Sequence, residues 1–281
     1  MALFAALVLF ALAGCSATQI AYESGATLLR WRATSYLDVH GAQSEELDRR
    51  IERFLAWHRR TALPQYAQLA ASCARRIEQG ITRADLEWGY DALHAQLDQS
   101  LRAAAREIAP IMDSLTPEQI GHIEQRFAED NREFAGEDLA GDEAARRKRR
   151  FDRNVARFED WIGPLSAAQL AIVRRYGETA PLTGTLRAAD RRRRQDQLLA
   201  ILGAHQAHAR LAAWAVGWDR NRSPEYAAAA RAHREAYYDM LLALDRTLSA
   251  EQRASAAARF RGFARDFQIL AKSDSEALRS R

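Results

Sequence analysis

The chain has 281 residues, with 41 Lys or Arg against 37 Asp or Glu, a formal net charge of +4, six prolines and two cysteines. That length can bury a sizeable core, as one extended helical domain or two smaller ones. Abundant alanine with few β-branched residues favours helix and argues against a sheet fold.

Residues Ala2 to Ala13 form an apolar run without charge, too short to cross a bilayer, which takes roughly 20 apolar residues as a helix. The run ends in Leu12-Ala13-Gly14-Cys15, which resembles the box at which bacterial lipoproteins are acylated on cysteine and cleaved in front of it. The resemblance implies that residues 1–14 are a signal peptide, that the mature chain begins at a lipid-bearing Cys15, and that Ser16 directs it to the outer membrane, facing the periplasm. One departure is visible, since no Lys or Arg precedes the apolar run. With Cys15 acylated, Cys73 is left alone and no internal disulfide forms.

Helical periodicity runs from there to the end, without a convincing stretch of strand alternation. A first helix is predicted over Ala17 to Asp38. Ser44 reads as the N-cap of a second, with Leu47, Ile51, Phe54, Leu55 and His58 on one stripe. Pro64 opens a third as a first-turn residue, and Gly80 stops it. Thr82 begins a long helix that Pro110 kinks or ends. The stretch from Gly136 to Gly141 is the clearest internal break, a soft division within an elongated domain spanning 15–281, and Gly163-Pro164 and Pro181 to Gly184 are tighter corners. An arginine-rich helix follows over 186–202. Ser223-Pro224-Glu225 starts another, with Tyr226, Tyr237, Met240, Leu241 and Leu244 on its buried side.

A five-residue pattern recurs at helix starts: Leu115-Thr116-Pro117-Glu118-Gln119, Leu165-Ser166-Ala167-Ala168-Gln169 and Leu248-Ser249-Ala250-Glu251-Gln252. Ser or Thr accepts from a free backbone N–H of the coming helix, and Gln three residues on bonds back to the cap residue's own N–H. Leu packs ahead of the cap as a staple. The predicted fold is therefore all-α, a multi-helix array of hairpins joined by Leu-[Ser/Thr]-x-x-Gln capping-box corners. The leucines are 50 and 83 residues apart, unlike the fixed period of a solenoid.

Trp57-His58-Arg59-Arg60 and Leu63-Pro64-Gln65-Tyr66, taken with the corners and the N-terminal box, resemble a family of uncharacterised proteobacterial lipoproteins grouped as a domain of unknown function. The resemblance spans the mature chain and brings no activity with it. Gly41 to Glu46 departs from it, standing where a fuller corner is expected. The corners also resemble those of the small periplasmic chaperones of the Spy and Cpx-response group, in which such a motif shapes a helical cradle for unfolded clients.

Trp57, His58, Arg59, Arg60, Pro64 and Tyr66 are the first choice for a binding cluster: an imidazole between an indole and guanidinium groups suits a phosphate or carboxylate, and histidine changes charge near neutral pH. The same residues also serve as packing at a helix junction. His205 and His208, three apart, share one face of a helix. Two imidazoles fall short of the four ligands zinc takes, so no metal or cofactor is expected. Arg146, Arg149, Arg150, Arg153 and Arg157 lie along the wet side of an amphipathic helix, and Arg191 to Arg194 spread around a turn. Asp130 with Glu133, and Glu159 with Asp160, read as solvated surface.

The basic side chains are almost all arginine, which suits anionic lipid, lipopolysaccharide or acidic peptide. A GC-rich coding bias explains that excess equally well. No groove-reading motif, nucleophile elbow, phosphate loop or dinucleotide fingerprint is present, so neither nucleic-acid binding nor catalysis is expected. The sequence reads as a non-enzymatic binding or scaffold protein held to the membrane by its lipid, with an envelope protein or anionic lipid as partner and its oligomeric state open. A tethered chaperone is the alternative, and a helical enzyme a distant third.

Overall fold

In the computed structural model the described residues are Tyr22 and 24–279, with side chains to 272; the apolar leader and Cys15 lie outside them. The fold is all-α, with no strand among the described residues. Its helices are α1 (Gly25–Leu37), α2 (Ala42–Trp57), α3 (Leu63–Gln79), α4 (Arg83–Asp113), α5 (Pro117–Phe134), α6 (Glu143–Ile162), α7 (Ala167–Thr179), α8 (Gly184–Gly203), α9 (Ala207–Val216), α10 (Pro224–Asp245) and α11 (Ala250–Arg279). A π turn over His58–Ala62 fuses α2 to α3, and a second over Ala135–Leu139 extends α5.

Most helix starts follow from local cap chemistry. Thr116, Ser166 and Ser249 each accept from the N–H of the corner glutamine, whose Oε1 accepts the cap residue's N–H in return. Thr82 does the same with Asp85 in the glutamine's place. Asp142 and Ser223 cap α6 and α10 through side-chain oxygens. Gly80 ends α3 at φ 86°, a left-handed conformation that favours glycine.

Several boundaries differ from expectation. Ser44 is not a cap: α2 begins at Ala42 behind Gly41, whose φ is 54°, and Ser44 sits in the first turn with its N–H on the Gly41 carbonyl. Pro64 does not open a separate helix. The chain stays helical from Ala42 to Gln79, and the wide turn absorbs the proline ring, which would otherwise press on the carbonyl four residues back. Pro110 lies inside α4, which continues to Asp113. The break expected over Gly136 to Gly141 is shorter, because helical winding persists to Leu139.

The corners interlock in two pairs. Gln169 Nε2 donates to Gln252 Oε1 at 2.7 Å and to the Thr247 carbonyl at 3.1 Å, while Gln252 Nε2 donates to Gln169 Oε1 at 3.2 Å and to the Pro164 carbonyl at 3.1 Å. The same figure recurs between Gln119 and Gln43. Gln119 Nε2 reaches Gln43 Oε1 and the Asp38 carbonyl, both at 2.8 Å, and Gln43 Nε2 reaches the Ser114 carbonyl at 3.1 Å. Val39-His40-Gly41-Ala42-Gln43 is thus a fourth corner, with Val39 buried where Leu115 is buried in its partner, and with neither Ser nor Thr at the cap.

Each pair borders an apolar cluster. The larger joins Leu37, Val39, Leu47, Ile111, Leu115, Ile123, Leu202 and Leu211, from helices α1, α2, α4, α5, α8 and α9 and the first two corners. The second is built on Val173, Tyr176, Met240 and Leu244, with Leu165 packed against it. Helix α11 returns along α3, tying the end of the chain to its first third. There Arg253 donates to the Ile77 carbonyl at 2.7 Å and pairs with Asp245 at 2.7 Å.

Candidate functional site

The nominated cluster forms at the α2–α3 junction. The π turn carries His58, and its ring is enclosed by aromatics from both helices: Phe54 at 5.7 Å, Trp57 at 6.3 Å and Tyr66 at 5.9 Å between centroids. Tyr22 closes the remaining side, stacked at 5.8 Å with its hydroxyl 3.0 Å from His58 Nδ1. Tyr66 reaches Ser100 Oγ at 3.4 Å and packs 6.0 Å from Phe267 of α11. Arg59 lies 5.5 Å over the Tyr22 ring, whereas Arg60 is exposed. The role of Pro64 is in the backbone, through the wide turn that sets the direction of His58.

Burial among these rings pushes the His58 imidazole down to about 4, so it is neutral at pH 7. That runs against a charge switch near neutrality. The geometry is an aromatic hub joining α2, α3, α4, α11 and the segment just before α1.

Three further polar clusters escaped the sequence reading. Asp130 is drawn inward, away from the solvated surface assigned to it, and Glu133 alone stays exposed. Its carboxylate accepts from the Tyr36 hydroxyl and from Arg191 at 3.2 Å; burial, followed by the Asp130 contact, pushes the Tyr36 hydroxyl up to about 12. The His94 ring lies tilted against Tyr90 at 4.0 Å and Trp218 at 5.0 Å between centroids, with Nδ1 3.2 Å from Asp219; burial lowers its pKa against the pull of that carboxylate. His233 lies 3.1 Å from the Tyr176 hydroxyl and 3.1 Å from the Pro181 carbonyl, and burial lowers it too.

Arg150 departs from the wet face assigned to it. It is buried, donating to the carbonyls of Gly177 at 2.5 Å, Ala180 at 2.8 Å and Pro181 at 3.0 Å, where α7 ends. A helical wheel groups it with the neighbouring arginines, and the carbonyls that bury it belong to the end of α7, outside its own helix. His205 and His208 are on different elements: His205 is in a turn at φ 49°, and His208 is in α9. Both contact Asp113, through a side-chain nitrogen on its carbonyl and a backbone N–H on its carboxylate. No group of three or more His, Cys, Asp or Glu suited to a metal exists among the described residues. Cys73 is half-buried, and burial raises its thiol pKa.

Two concavities lie away from His58. One, of about 300 Å³, is lined by Ala42, Gln43, Glu46, Pro110, Ile111 and Ser114 beside the first corner pair. The other, about 270 Å³, lies over Ser72, Arg75, Arg76, Gln79 and Asp85, where Arg76 pairs with Asp85. No helix among the described residues is long and apolar enough to cross a membrane.

Interlocked capping corners, aromatic junctions and arginine-to-carbonyl clamps define an all-helical domain whose polar clusters bind its own helices together. The chain belongs to a family of unknown function (DUF6279), matched over residues 35–214. That span takes in both partners of the first corner pair and one partner of the second. Comparison with curated proteins and with solved structures found no match.

Proposed function

We propose that this chain is a lipid-anchored envelope protein of the binding or scaffold type, acylated on Cys15 and held on the periplasmic face of the outer membrane. The observation that carries the proposal is the Leu12-Ala13-Gly14-Cys15 box, placed directly ahead of the helical domain. Its work is to hold a partner at the membrane, an envelope protein or anionic lipid, without turnover. The clusters that would be candidates for catalysis support this, because their polar atoms are engaged in the fold: His58 with Tyr22, His233 with Tyr176 and Pro181, and Asp113 with the start of α9.

The Leu-[Ser/Thr]-x-x-Gln corners favour a second reading, a tethered chaperone. Against it, the large apolar side chains exposed among the described residues are Leu28, Trp31, Leu93 and Ile269, few for a client cradle and drawn from three helices.

Palmitate labelling and fractionation of cells expressing the wild type and Cys15→Ser test the anchor. The wild type is expected to take up label and sediment with membranes, and the variant to remain unlabelled at the higher mass of an uncleaved chain. Equal mass and no label in either would overturn the anchor. Crosslinking in intact cells then separates the two readings: one recurrent partner supports the scaffold, and a broad set of unfolded envelope proteins supports the chaperone.

A further inference from the structure

Helix α1 is apolar on two sides, and the described residues cover only one. Leu37 is buried, and Ala33 and Tyr36 pack on the larger core. Leu28 lies about 180° round the helix from Leu37 at 100° per residue, and Trp31 about 60° from Leu28. These two are 45% and 61% exposed, and Trp31 is the most exposed large apolar side chain among the described residues. The sequence of α1, GATLLRWRATSYL, holds no acid, and its charged residues are Arg30 and Arg32. Arg30 turns to the covered side and pairs with Asp48 of α2, whereas the Arg32 guanidinium lies 5.1 Å over the Tyr36 ring, along the surface of α1 itself.

From these placements we infer that the Leu28–Trp31 face of α1 rests in the headgroup region of an anionic phospholipid surface. The inference rests on the anchor proposed above and adds the orientation of the domain. Leu28 is thirteen residues after Cys15, a tether of at most ~45 Å even when fully extended. A cysteine acylated in the bilayer therefore keeps α1 within reach of the interface, closer along the chain than any other helix among the described residues. Tryptophan prefers that zone, where its apolar body and polar N–H both find partners. A helix with Arg32 beside an exposed Leu–Trp pair, about 40° round from Leu28, and with no acid of its own to repel anionic headgroups, suits a surface more than a span. Leu93 and Ile269, on α4 and α11, have no comparable tether.

Tryptophan quenching on the full chain tests the contact. The protein is reconstituted into phosphatidylethanolamine–phosphatidylglycerol vesicles doped with brominated lipid, as wild type, Trp31→Phe and Leu28→Glu. The chain has six tryptophans. Wild-type emission is expected to be quenched, and Trp31→Phe to lose most of that quenching. Leu28→Glu, which leaves Trp31 as reporter, is expected to reduce it, and so is omission of phosphatidylglycerol. Equal quenching in wild type and Trp31→Phe overturns the inference, and equal quenching without phosphatidylglycerol overturns its anionic part. Shielding of Trp31 from iodide before lipid is added also overturns it, in favour of a second copy covering α1. The mass of the N-terminal peptide reads the anchor separately. Acylated Cys15 with an unquenched Trp31 removes the contact and leaves the anchor, whereas unmodified Cys15 with a quenched Trp31 does the reverse.

Discussion

Gln169 and Gln252, 83 residues apart, hold each other by both ends of their amides, each donating to the other's oxygen while that oxygen also accepts the N–H of its own cap residue. Each amide makes four hydrogen bonds, its full capacity. Gln169 is 1% exposed, so any bond it loses is lost away from water. Gln169→Glu removes both donors and sets a carboxylate against the Gln252 oxygen. A loss of about 2–4 kcal/mol is expected from urea unfolding. A double-mutant cycle with Gln169→Ala and Gln252→Ala should give a coupling of at least about 0.5 kcal/mol. Additive losses would mean that the two corners are independent caps.

Corners of this kind are legible because the chemistry is local: Thr116, Ser166 and Ser249 find their glutamine three residues on. What they grip is not local. Gln43 has no Ser or Thr three residues before it, and its role depends on Gln119, 76 residues away. For the same reason Ser44 is a plausible cap in sequence and an ordinary first-turn residue in the fold. Trp57, His58 and Tyr66 are close enough along the chain to be seen as a cluster. The rings that complete it, Tyr22 and Phe267, come from opposite ends. Burial of Arg150 and Asp130 is likewise written in other helices, in the carbonyls that end α7 and in Tyr36 of α1.

His58 makes stability depend on acid. Its pKa is lowered from 6.5 to about 4 by burial, so between those values the unfolded chain binds a proton that the folded chain does not. Stability is therefore fully present above pH 6.5 and declines as pH falls toward 4, by on the order of 2–3 kcal/mol from this residue. His94 and His233, lowered in the same direction, add to the decline. Urea midpoints measured from pH 7.5 to 4 should fall for the wild type and fall less for His58→Phe. Identical slopes would mean that the imidazole is solvated.

Arg150 is a charge inside the protein balanced by carbonyl dipoles in place of an acid. Its guanidinium spans three carbonyls at the end of α7, a fork that an ammonium group cannot reproduce. Arg150→Lys should therefore fail to rescue, with both Arg150→Lys and Arg150→Met losing about 2–4 kcal/mol in chemical denaturation. Rescue by lysine to within about 0.5 kcal/mol would reduce the site to a point charge.

Asp113 ends one helix and starts another. It is the last residue of α4, and its carboxylate accepts the N–H of Ala207 at 2.6 Å and of His208 at 3.0 Å, capping α9 from a distant part of the chain. Gln206, the local cap residue, makes no side-chain cap bond. A carboxylate there meets both free N–H groups and the positive end of the α9 dipole. Asp113→Asn keeps one acceptor and loses the charge, so a cost of about 0.5–1 kcal/mol is expected; Asp113→Ala removes both, at about 1–2 kcal/mol. Because α9 packs along α4, the loss should show first as faster amide exchange at Ala207 and His208, ahead of global unfolding. Unchanged exchange at those two amides in Asp113→Ala would mean that water caps α9 equally well, and that its docking on α4 depends on Leu211 and its apolar neighbours alone.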